Sequence, residues 1–209
     1  MFKKIINTFF GYIKKQNLDQ TIPKDFIAYE DLINSNNLKI GNNTDISDLK
    51  INIFGKIPNK KNIEIGDDCL LHGSIVIYSS DAKIKIGNRV FIGPNTTIFC
   101  YKDINIEDDV MISWGCTLID TNAHSLSSKE RINDVQDWKK GWQHKNWDVV
   151  ASKNIVIKSN SWIGFNSIIT KGVILEKGCI VASGSVVTKS FNEYSILGGN
   201  PARFIKQTT

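Results

Sequence analysis

Along most of the chain an aliphatic residue recurs at every sixth position, with polar residues and glycines between. This period is neither the two of a half-buried strand nor the 3.6 of an amphipathic helix. Ile65, Leu71 and Ile77 open the series; Ile86, Ile92 and Ile98 follow, then Ile106, Ile112 and Leu118. After an interruption the triplet resumes as Ile157, Ile163 and Ile169, and again as Leu175, Val181 and Val187. Six residues supply one short strand and one tight corner. Three such units close a triangular coil with one aliphatic on each inner wall, and successive coils stack like upon like. The pattern therefore predicts an all-β, parallel, triangular solenoid over residues 38–206, with irregular coils before residue 63.

The residues between the aliphatics fit corners. Gly66, Gly87, Gly93 and Gly164 each follow an aliphatic directly, and Asn and Gly elsewhere in the corners tolerate positive φ. Cys69, Cys116 and Cys179 lie four positions after a leading aliphatic, where a small inward side chain is expected. No CxxC pair occurs, so the four cysteines predict free, buried thiols rather than a zinc site or a disulfide framework.

Residues 1–37 read differently. Phe2, Ile5, Ile6, Phe9, Phe10 and Ile13 follow helical spacing, flanked by Lys3, Lys4, Lys14 and Lys15, which predicts a short amphipathic N-terminal helix. Two placements suit it: against the open end of the solenoid or a neighbouring subunit, or on a membrane surface as a peripheral contact.

Composition narrows the classes. With 41% hydrophobic and 22% charged residues the chain is an ordinary globular one. The net charge of +5 suits an anionic ligand, but no basic cluster is interleaved with aromatics, so nucleic-acid binding is not expected. No stretch approaches the ~18 apolar residues of a spanning helix, and no secretory signal is present, so a cytoplasmic location is expected.

The three histidines make the search for chemistry short. His72 sits at an outward solenoid position, and His144 lies in a long insertion. His124 stands where the chain leaves the solenoid: Leu118 to Ile157 takes 39 residues where the matching step from Ile98 to Ile106 takes 8. Long excursions from a regular scaffold more often serve function than accident. This one, about residues 120–154, gives His124 a rigid root beside a movable wall. A neutral imidazole takes a proton from a hydroxyl near neutral pH, provided that an acceptor holds its other nitrogen; Asp120 or a backbone carbonyl would serve.

The coil register and the closing run Gly198-Gly199-Asn200-Pro201-Ala202-Arg203 resemble the left-handed β-helix, hexapeptide-repeat acyltransferases. The resemblance implies a left-handed helix, a homotrimer, acetyl-CoA as co-substrate and no metal. The stretch from Leu118 to Ser125 matches the place where that family carries its general-base histidine. Phe165, in Trp162-Ile163-Gly164-Phe165, matches a residue lining the pantetheine channel, and Ser183, in Ala182-Ser183-Gly184, a contact one coil on. Thr188 and Lys189 match the pair near the nucleotide end, and Arg203 and Lys206 match the basic residues that meet the phosphates.

Departures from the family pattern shape the acceptor. Ser125 follows His124 where maltose, galactoside and drug acetyltransferases carry proline, and Tyr101 replaces an acidic residue of the galactoside enzymes. The insertion, with Trp138, Trp142 and Trp147, resembles the loop of capsule and polysialic acid O-acetyltransferases, where a loop tryptophan joins the active site. Trp147 is the residue this favours. Tryptophan suits sugar rings, and Arg131, Lys139, Lys140 and Lys145 suit an acidic glycan. The expected activity is O-acetylation of a surface polysaccharide or its precursor; N-acetylation of an amino sugar or of an antibiotic uses the same base. A γ-class carbonic anhydrase needs converging histidines, whereas His72, His124 and His144 lack that class's close pair. A solenoid used only for binding needs neither His124 nor the basic tail.

Overall fold

A computed structural model describes residues 37–54, 62–141 and 144–208. The predicted N-terminal helix and Trp142 lie outside these residues.

The chain winds as a triangular parallel β-solenoid, a left-handed hexapeptide β-helix. One wall stacks β1 (Leu38–Ile40), β3 (Ile63–Ile65), β5 (Lys83–Ile86), β8 (Asp103–Ile106), β11 (Ile155–Ile157) and β14 (Ile174–Leu175). The second wall begins with the start of β4 (Leu70–Ile77) and continues through β6 (Phe91–Ile92), β9 (Met111–Ile112), β12 (Trp162–Ile163), β15 (Ile180–Val181) and β17 (Ser195–Gly199). On the third lie β2 (Asp45–Ile53), the remainder of β4, β7 (Thr97–Cys100), β10 (Thr117–Ile119), β13 (Ile168–Thr170) and β16 (Val186–Val187). An antiparallel strand, β18 (Ala202–Gln207), folds back on β17 and places Arg203 opposite Gly198.

The inner columns hold the predicted aliphatics in register. Ile65, Ile86, Ile106, Ile157 and Leu175 align on the first wall, and Leu71, Ile92, Ile112, Ile163 and Val181 on the second. All ten are essentially buried. At roughly 1.5–3 kcal/mol for each large aliphatic side chain buried, these columns supply the main force that closes the coils.

The third column differs from expectation in its first coil. Ile75, not Ile77, aligns with Ile98, while Ile77 pairs with Cys100. The reason is local: β4 runs unbroken past Gly73, whose φ of 85° turns the chain in fewer residues than a six-residue step. Both isoleucines are buried, because they are two positions apart on one strand.

Corners repeat one backbone device. The third residue after the aliphatic is left-handed: Asp68, Arg89, Asp109 and Asn160 at one corner, and Asn95, Gly115, Asn166 and Gly184 at the next. Glycine directly after an aliphatic answers a different need. A Cβ on Gly164 would sit 2.7 Å from the Ser183 backbone nitrogen in the next coil. Cys69, Cys116 and Cys179 are buried with free thiols, as their corner positions predict.

The excursion leaves after β10 and returns at β11. An antiparallel bridge between Thr121 and Ser152 clasps its root, reinforced by Asn122 N–H donating to the Ala151 carbonyl at 2.9 Å. Beyond the clasp lie two short helices, α1 (Ser128–Arg131) and α2 (Asp134–Lys140). Among the described residues no helix is long and apolar enough to cross a membrane.

Candidate active site

His124 stands just past the clasp, its side chain 48% exposed. The Asp134 carboxylate, at the start of α2, contacts its Nδ1 through Oδ2. A carboxylate oxygen against a ring nitrogen requires a proton on that nitrogen, since two lone pairs would repel. Nδ1 therefore donates to Asp134, which leaves Nε2 as the nitrogen that can accept a proton when the ring is neutral. Asp134 thus sets the tautomer of His124.

The same Asp134 oxygen accepts from Nζ of Lys145, whose side chain is only 1% exposed. That Nζ also lies 3.3 Å from Nδ1 of His124. Because Nδ1 already bears hydrogen, this approach is electrostatic rather than a further hydrogen bond. Burial works to raise the Asp134 carboxyl, but the hydrogen bonds and charges of His124 and Lys145 outweigh it and hold the group below its ordinary value.

Trp138, on α2, stacks beside the base with ring centroids 6.0 Å apart. With Val135 and Lys139 it borders an open pocket of about 310 Å³ that includes His124 and Asp134. Its walls are mainly apolar and its reactive group is an imidazole, a combination suited to a sugar ring presenting one hydroxyl.

Trp147 lies deeper. Its ring stacks on Tyr101 at 5.0 Å and on Tyr78 at 5.5 Å, both from the solenoid wall, and Nζ of Lys145 sits 5.6 Å from its centroid. Trp147 is therefore joined to His124 through Lys145, whereas Trp138 is the tryptophan beside it.

Asp120 does not hold the histidine. Its buried carboxylate accepts from the backbone N–H groups of Tyr101 at 2.7 Å, Lys102 at 2.7 Å and Asp103 at 2.9 Å, closing a turn of the preceding coil. Burial pushes this carboxyl up, against the lowering pull of the three amides. The sequence could not separate Asp120 from Asp134, because only the fold of the loop brings residue 134 back to residue 124.

The basic loop residues divide by contact. Lys145 is spent on Asp134, Arg131 donates to the Ser125 carbonyl at 2.6 Å, and Lys140 pairs with Asp137 at 3.3 Å. Lys139 borders the pocket. The expectation that Lys145 meets an acidic glycan is corrected by its burial.

The proposed coenzyme residues divide between two corners and β18, and the corner after the third wall is also where the excursion leaves. Phe165 and Ser183 occupy the corner after the second wall, in successive coils, and both are exposed. Phe165 lies parallel to Trp114, with centroids 5.0 Å apart and both rings well exposed. Sequence reading missed Trp114, although its place two residues after Ile112 matches that of Phe165 after Ile163. Thr188 and Lys189 are exposed at the corner after the third wall. Nζ of Lys189 lies over the Phe191 ring at 5.6 Å, and Arg203 and Lys206 are exposed on β18.

His72 pairs with Asp48 at 3.2 Å on the solenoid surface, away from this cluster, and His144 is exposed in the loop.

Residues 154–189 match the family described as bacterial transferase hexapeptide (six repeats), and residues 83–119 match the hexapeptide repeat of succinyl-transferase. Among solved structures the fold is similar to AntD, an N-acyltransferase from Bacillus cereus, in a mutant complex with dTDP and coenzyme A. That likeness has 24% identity and a TM-score of 0.64 over 88% of this chain and 91% of that one. It is also similar to the polySia-specific acetyltransferase NeuO, at 23% identity and a TM-score of 0.58, covering 81% of this chain and 75% of that one. A hexapeptide-repeat acetyltransferase from Vibrio cholerae matches at 23% identity and a TM-score of 0.50, over 81% and 71% of the two chains.

Proposed function

Since the chain belongs to the hexapeptide-repeat, left-handed β-helix proteins, we propose that it moves an acetyl group from acetyl-CoA to a hydroxyl of an acidic bacterial surface saccharide or its sugar precursor. The observation that carries this reading is His124, held through Nδ1 by Asp134, at the edge of an open pocket that it shares with Asp134, Val135, Trp138 and Lys139.

In the proposed reaction Nε2 removes the acceptor hydroxyl proton as the oxygen attacks the thioester carbonyl. The tetrahedral oxyanion then collapses, the carbon–sulfur bond breaks, and the imidazolium returns the proton to the coenzyme thiolate. Charge is conserved and no covalent enzyme intermediate is needed. A backbone N–H from an adjacent coil supplies the oxyanion donor. The loop forms the acceptor wall, with Trp138 against the sugar and Trp147 supporting it from behind. Phe165 and Ser183 line the pantetheine, Thr188 and Lys189 the nucleotide end, and Arg203 and Lys206 the phosphates.

Within one chain the third wall separates His124 from Phe165 and Ser183. A second copy would bring its own second corner against His124, and we propose a homotrimer whose grooves hold the coenzyme. Exposed Met111, Trp162, Trp114 and Ile168 give such contacts an apolar face. Acetyl-CoA places the reaction in the cytoplasm.

A second reading, N-acylation of an amino sugar, is favoured by the likeness to AntD, an N-acyltransferase crystallised with a nucleotide and coenzyme A. Acetyl-CoA turnover against a panel of acidic glycans, neutral glycans and amino sugars, with mass spectrometry of the product, separates the two. An alkali-labile acetyl ester on an acidic glycan is expected. Transfer only to amines favours the second reading, and no transfer to any saccharide rejects both.

A further inference from the structure

The Asp134 oxygen that receives Nδ1–H of His124 also receives the buried ammonium of Lys145. We propose that Lys145 is a positioning residue that locks the Asp134 carboxylate onto Nδ1 of His124 and offsets its charge, so that Nε2 is the nitrogen left to face the acceptor. The assignment rests on His124 acting as the base in the reading above.

A lysine side chain only 1% exposed is rare unless it is paired, and here its ammonium donates to the oxygen that also receives Nδ1–H. Its Nζ is 3.3 Å from that ring nitrogen, close enough for its charge to act on the half-exposed imidazole. Of the other charged groups in this part of the loop, Arg131 from α1 is turned to the Ser125 carbonyl, Lys139 from α2 lies at the pocket rim, and Asp137 of α2 is paired with Lys140. Asp134 is thus the negative group that must be balanced, and Lys145 is the cation in contact with it.

The wall of the solenoid sets where that cation sits. Trp147 lies under Nζ and stacks on Tyr101 and Tyr78, so the ammonium is referenced to the rigid coils rather than to the loop alone. This gives Trp147 a role at one remove from the acceptor. Its loss would loosen Lys145 before it disturbed the pocket.

The test needs no turnover. In full-length protein labelled at its three histidines with nitrogen-15, the His124 ring signals are identified by their absence in His124→Ala. The expected wild-type signal is the tautomer protonated on Nδ1. Lys145→Met removes a cation beside the ring and should raise the His124 protonation midpoint, and Lys145→Arg should restore most of it. The acid limb of the kcat/KM profile should move with it. Should Lys145→Met fail to fold, Asp134→Asn removes the charge that Lys145 offsets and should move the midpoint down. An unchanged midpoint in a folded Lys145→Met or Asp134→Asn overturns the assignment, as does a fall in kcat with no change in the pH profile. A shifted midpoint in a protein that transfers acetyl to nothing supports the ion-pair assignment and rejects the acetyltransferase reading instead.

Discussion

The solenoid and its inserted loop fix side chains in opposite ways. In the solenoid a position is defined by repetition: Ile163 is buried because Ile112 lies beneath it and Val181 above. In the loop each contact is singular, and His124 is placed by one carboxylate, one ammonium and a chain of aromatic rings leading back to the wall. Repetition yields stability spread over many coils, whereas singular contacts yield chemistry that one substitution removes. Damage to the solenoid should therefore read as lost folding free energy, and damage to the loop as lost rate.

The largest stability effect is expected where the columns are tightest. Ile163→Ala should cost about 2–5 kcal/mol in chemical unfolding, with the specific activity of the folded fraction retained. A loss of activity without a loss of stability would break the comparison.

Asp120 lies at the junction of the two regions and sharpens the distinction. Replacing it by Ala strands three backbone N–H donors and should destabilise the fold by about 1–3 kcal/mol. If Asp120→Ala instead lowered kcat at unchanged stability, this carboxylate would belong to the base after all.

The smallest effect belongs to the exposed basic residues. Arg203→Ala and Lys189→Ala should each raise the KM for acetyl-CoA by about tenfold, leaving kcat and stability near wild type. Unchanged affinity for every form of the coenzyme would remove both from the site.

Legibility in the sequence follows the same division. The columns could be read because a solenoid writes each inner position several times; the one slip, Ile77 for Ile75, came where Gly73 shortens a corner and the period fails. His124 stands out in the sequence because it marks where the repeat is interrupted. Its partners could not. Asp134 and Lys145 carry no periodic signature, and they meet His124 only once α1 and α2 fold the loop back, so the sequence points to Asp120 by proximity and gives no sign that Lys145 is buried. Trp114 lay within reach, since its register matches that of Phe165, but an exposed tryptophan gains meaning only beside the ring that stacks on it.

The central claim is that the loop carries the base and the solenoid binds the coenzyme. Its most direct test is the kcat of His124→Ala with acetyl-CoA and acceptor both saturating, paired with calorimetric titration of coenzyme A. A general base acts in the transition state, so the rate should fall by roughly 10²- to 10⁴-fold while coenzyme affinity stays near wild type. A variant that keeps more than about half the wild-type rate, a loss far below that range, would remove His124 from the mechanism and contradict the account.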